Sequence, residues 1–154
     1  SRSATFRDSR SWDLPQASNR STPWTIVTSS RDSGHPAGIP YAFNSLHKAG
    51  TKLLMGSDAP VAPLDPWLAI SASVFGTESS DREPFQPEQC LDFETALASS
   101  TAVGRVALRD ADAADLVLLD CDPSIIDSPE AMRAMPEHVL GTMLAGRWTY
   151  QQAE

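Results

Sequence analysis

Apolar residues along this chain fall into short blocks separated by polar, proline-broken runs, and each block has a recognisable period. "WTIVTSS", residues 24–30, reads as a short β-strand, and "SGHPAGIP" after it is a cluster of breakers. In "YAFNSLHKAG" the residues Ala42, Phe43, Leu46 and Ala49 recur at helical spacing. Gly50 stands where a left-handed helix terminator belongs. "TKLLMG" follows as a strand, and its lack of alternation predicts burial on both faces, as in a parallel sheet. Asp65 and Pro66 form an N-cap and first helical residue. The helix they open carries Trp67, Ile70, Ser71 and Val74 on one side and ends at Gly76.

Residues 77–89 are polar and broken by proline, so they read as loop. A third helix is predicted over "DFETALASSTAVG", capped by Asp92 and ended by Gly104. The period then changes. "ADLVLLD", residues 114–120, is a strongly apolar strand, and "DPSIIDSPEAMRAMPE" is a loop with one helical turn. "HVLGTMLAGRWTYQ" is a β-hairpin turning near Ala145-Gly146. The order predicts an α/β fold, and no repeat of 20 to 50 residues is visible.

Composition narrows this picture. The 154 residues suffice for one domain with a core, yet only 41% are hydrophobic and 12 are proline. One folded part with poorly ordered stretches is expected, the first 33 residues among the latter. No run of 18 apolar residues exists, and the Ser/Arg-rich start has no apolar segment behind it, so neither a membrane span nor a secretory signal is expected. The chain begins at Ser1 rather than Met, which points to a processed, truncated or excised product. Residues 1–50 carry six Lys/Arg against three Asp/Glu, and the remainder six against seventeen. An acidic body argues against nucleic acid and anionic membranes as partners. The basic head reads as a solvated tail, with an anion-binding arm as the alternative. Cys90 and Cys121 form no CxxC pair and are expected to be free thiols of a cytoplasmic protein.

The candidate for chemistry is Asp58, placed directly after a strand in "KLLMGSDAPVAPLDPW". Loops after parallel strands are where α/β folds set reactive groups. A carboxylate there can bind a cation or take a proton from its water; the alternative is a turn cap. Neither His35, in a Gly/Pro loop, nor His47, on the polar side of its helix, nor His138, in the C-terminal segment, has paired-ligand spacing, and none is given a metal role. Cys90 precedes a helix, whose dipole can lower a thiol pKa, but a structural role is the better reading. Asp110, Asp112, Asp120 and Asp122 read as surface charges flanking a strand, since these segments lack the central Gly and closing Glu of a calcium loop. Trp67 and Trp148 read as packing residues. No GxSxG, phosphate loop or HExxH is present.

"AGTKLLMGSDAPVAPLDPWLAI" resembles the last barrel strand of the amidohydrolase superfamily, and of the family 3 amidohydrolases in particular. The likeness continues through "PEQCLDFETALASSTA", "AADLVLLDCDP" and "VLGTMLAGRWTY", spanning about residues 39–150. The resemblance implies the C-terminal fragment of a (β/α)8 TIM-barrel metal-dependent hydrolase plus part of a small β-sandwich. Residues 1–33 would be a divergent or poorly ordered segment, 34–110 the last part of the barrel, and 111–154 the sandwich strands. It implies hydrolysis of amide-type C–N bonds in a small-molecule substrate. Asp58 would be metal ligand and proton shuttle on one or two divalent ions, most simply zinc. A complete barrel needs about 250 residues, so either another chain supplies the missing strands, or this is a truncated gene product, or it folds differently alone; by itself the chain would be inactive and retain no ion. The rival readings are a non-catalytic interaction module and a truncated, decayed gene product.

Overall fold

A computed structural model describes residues 25–29, 41–57, 59–60, 62–102, 104, 106–110 and 112–153. Strand β1 (Thr25–Ser29) pairs with β2 (Lys52–Gly56), and between them in the chain lies helix α1 (Phe43–Lys48). Helices α2 (Pro66–Phe75) and α3 (Phe93–Ser99) follow. Strand β3 (Leu116–Leu119), helix α4 (Pro129–Arg133) and the hairpin β4 (Val139–Leu144) and β5 (Arg147–Gln151) complete the mixed α/β arrangement. Short 3₁₀ turns occupy Pro87–Gln89, Pro123–Ile125 and Met135–His138.

The β1–β2 pairing is antiparallel, running from Thr25↔Gly56 to Ser29↔Lys52. This corrects the expectation of a parallel neighbour for β2. Backbone groups of an apolar strand need partners, and β1 supplies them along one edge. Burial on both faces is not seen either: Leu53 is buried, Leu54 and Met55 are half-buried, and Lys52 and Gly56 are exposed.

The helix ends follow their capping residues. Asp65 Oδ1 accepts from the Trp67 N–H at 2.9 Å, Pro66 opens α2, and Gly76 closes it at φ +65°. Asp92 Oδ1 accepts from the Thr95 N–H at 2.8 Å to start α3. That helix stops at Ser99, short of the expected Gly104, because Ser99 and Ser100 hydroxyls donate back to the carbonyls of Thr95 and Ala96. Such back-bonding competes with continued helix.

One core joins the two halves. Leu53, Trp67, Ile70, Leu91, Ala96, Met132 and Met135 form a single buried cluster. α4 lies on α2, and the Ser71 hydroxyl donates to the Pro129 carbonyl at 3.1 Å. Trp67 is therefore the packing residue expected of it, whereas Trp148 is 45% exposed on β5 with its ring over Gly141.

The second sheet has the order β3-β4-β5, all antiparallel. Its hairpin turns at Ala145 (φ +49°) and Gly146 (φ +74°), the left-handed pair that a two-residue hairpin requires. Asp115 Oδ1 and the Ala114 carbonyl accept from the N–H groups of Ala145 and Gly146. The segment expected to be loop with one helical turn holds α4 flanked by two 3₁₀ turns. Asp122, Ser128 and three prolines supply the caps and first-turn residues that make this possible.

Candidate functional site

Two cavities flank β2. At its C-terminal end, a cavity of about 200 Å³ is lined by Met55, Gly56, Ser57, Asp65, Pro66 and Ser100, among others. Glycine and serine keep the strand end free of bulk, while the N-terminus of α2 forms the facing wall. Asp58 follows Ser57 in sequence but lies outside the described residues, as does His35. At the other end of β2 a larger cleft of about 730 Å³ opens between α1 and α3. Two carboxylates line it, Asp92 and Glu94, and the pKa of Asp92 is held low by the Thr95 backbone N–H it accepts from. A side chain committed to a helix start is not poised for proton transfer. The smaller cavity is the candidate, since it lies where a strand end meets a helix N-terminus.

The described groups at that cavity do not by themselves hold a metal ion. They are the Ser57 hydroxyl, a Ser100 hydroxyl that donates to the Ala96 carbonyl, and an Asp65 carboxylate already accepting from Trp67. A catalytic ion takes three or more protein ligands, and the described side chains of this cavity do not supply them.

A metal-capable donor set does exist elsewhere among the described residues, at the end of β3. Asp120, Cys121 and His138 each bring one potential ligand atom to within 4.8 Å of the others. His138 Nδ1 and Asp120 Oδ1 are 2.8 Å apart. Sequence reasoning left these residues separate, with Asp120 a surface charge and His138 without a partner. The signal that could have joined them is positional: an Asp-Cys pair ends one strand and a His begins its antiparallel neighbour. The other acids behave as expected of flanking charges. Asp122 accepts from the Ser124 N–H at 2.9 Å and Asp112 from the Arg109 N–H at 2.6 Å.

His47 is exposed at the end of α1, as its position on the polar side predicts. Both cysteines are free thiols. Burial, with Glu88 nearby, pushes the Cys90 thiol pKa up, opposite to the effect of a helix dipole. Cys121 is raised too, by partial burial and then by the Asp120 carboxylate. Among the described residues no helix is long and apolar enough to cross a membrane.

No curated protein and no solved structure matches the chain. A family model does, that of the amidohydrolase family, and it aligns with residues 20–150. The match takes in Asp58 and, among the described residues, both strands of the first sheet, the four helices and nearly all of the second sheet. The chain belongs to the amidohydrolase family, family 3 of these hydrolases.

Proposed function

We propose that this chain is the C-terminal part of a metal-dependent amidohydrolase that cleaves amide-type C–N bonds of a small molecule with an activated water. The observation that carries the reading is the family match over residues 20–150. The run from β2 to α2 supports it, because it leaves a cavity of mixed polar and apolar lining at the strand's C-terminal end. Asp58 is the residue assigned to the chemistry. Its carboxylate takes a proton from the attacking water and returns it to the departing amine, a role worth roughly 10²- to 10⁴-fold in rate. A divalent ion, zinc by preference, supplies the lowered water pKa and carbonyl polarisation when bound. Its other ligands come from strands outside residues 1–154, so the isolated chain is expected to be inactive.

The test is metal analysis on the polypeptide extended through the reading frame upstream of Ser1. An upstream His-x-His and a zinc content that falls by at least one equivalent per chain in Asp58→Asn support the assignment. A longer polypeptide with no such motif, or with zinc content indifferent to Asp58→Asn, overturns it.

One observation favours a second reading, a non-catalytic interaction module. The β3-β4-β5 sheet leaves Val117, Leu144 and Tyr150 about half or more exposed, and apolar patches of this kind mark contact surfaces. A chain that is monomeric and well folded, that holds no Asp58-dependent ion and has no upstream barrel strands, would favour that reading.

A further inference from the structure

We propose that Asp120, Cys121 and His138 form a binding site for one divalent ion of borderline softness, with Zn²⁺ the best match. The site is built from β3 and β4, not from β2, and does not depend on the role assigned to Asp58.

The donor set points to the class of ion. Calcium and magnesium take oxygen ligands. A thiolate, an imidazole and a carboxylate together suit zinc and its neighbours. The spacing fits as well. Around a tetrahedral zinc, with metal–ligand bonds of about 2.0–2.3 Å, ligand atoms stand roughly 3.3–3.7 Å apart. The three donor atoms already lie within 4.8 Å of one another, so closing on an ion needs a contraction of at most about 1.5 Å along the longer edges, while the 2.8 Å His138–Asp120 edge opens by about 0.5 Å or more.

The backbone holds the donors where side-chain adjustment suffices. The Asp120 N–H donates to the His138 carbonyl at 3.1 Å, which fixes the two residues opposite each other. The register slips at Leu118/Leu119, where Leu118 pairs with Gly141 but Leu119 with Val139. A bulge of this kind re-aims the side chains beside it, and Asp120, Cys121 and His138 all adjoin it. On the inner side Met135, fully buried, places its sulfur 3.8 Å from Cys121 Sγ. On the outer side His138 and Asp120 are 43% and 47% exposed, so an ion can enter from solvent. Asp122 is occupied in capping the next turn and does not compete. Three protein donors leave a fourth position for water or an external ligand. Binding releases the thiol proton to solvent.

An ion pair between Asp120 and His138 alone explains the 2.8 Å contact but gives the thiol no part, and cobalt spectroscopy separates the two. Co²⁺ is titrated into the reduced, metal-free 154-residue chain, with circular dichroism confirming the fold of each variant. The expected result is thiolate-to-cobalt charge-transfer absorption saturating at one ion per chain, displaced by Zn²⁺. Cys121→Ser abolishes the band, whereas Cys90→Ser and Asp58→Asn keep it. His138→Ala weakens binding by more than about tenfold, the loss seen even for outer partners of a metal site. Absence of the band in the folded chain, or its persistence in Cys121→Ser, overturns the proposal.

Discussion

Replacing Met132 by alanine tests whether the C-terminal half shares one core with the first sheet and its helices. Met132 is 0% exposed and sits in the cluster with Leu53, Trp67 and Ile70. Methionine-to-alanine changes at such sites cost about 2–5 kcal/mol, and the better helix propensity of alanine returns only a few tenths. The net loss is therefore about 2–4 kcal/mol, against a total stability on the order of 5–15 kcal/mol. For a chain of this length each kcal/mol moves Tm by about 2–4 °C, so Met132→Ala should melt roughly 5–15 °C lower. The control is Leu64→Ala, at a position 81% exposed, expected to change stability by less than about 0.5 kcal/mol. Both are read by thermal melts monitored by circular dichroism, which also show whether the wild-type chain unfolds cooperatively. Equal melting temperatures for the two variants would mean that α4 does not pack on α2. A wild-type chain without a cooperative transition would refute the single core outright.

Two other outcomes follow from local geometry. Asp65→Ala removes the cap of α2 and should cost about 1 kcal/mol, read as a small drop in Tm; an unchanged melt would show that Pro66 alone sets the helix start. Glu130 accepts from the Ser80 N–H and hydroxyl at 2.7 and 2.6 Å, and the hydroxyl bond, first among the causes, lowers its pKa to about 2 from an ordinary 4.5. A lowered carboxylate pKa stabilises the fold above the unfolded value, and that contribution disappears as pH falls through the folded value. The Tm difference between wild type and Ser80→Ala should thus be full above about pH 5 and close as pH falls towards 2; a gap independent of pH would contradict the assignment.

The parts of the fold that local chemistry dictates were legible in the sequence. Asp65-Pro66 and Gly76 bracket α2, Asp92 starts α3, and Ala145-Gly146 turns the last hairpin, each at the expected place. The partners of β2 were not legible. An apolar run such as "KLLM" states that a strand wants neighbours but not their direction, and here β1 takes the antiparallel place. The helical content between β3 and β4 was underestimated because its caps are spread over short turns instead of one periodic helix. The family was legible because several motifs recur in order across the chain, and the family match confirms it. The Asp120–Cys121–His138 set was not, since 16 residues separate Cys121 from His138 and only the β3–β4 pairing brings them together.

The central claim is that Asp58 serves hydrolysis of an amide-type bond. The direct measurement is kcat/KM for an N-acyl amide substrate, made on the zinc-loaded polypeptide extended upstream of Ser1, with and without Asp58→Asn. The account predicts measurable hydrolysis that falls by roughly 10²- to 10⁴-fold in the variant while the melting profile is preserved. Hydrolysis that proceeds equally well in Asp58→Asn would contradict it.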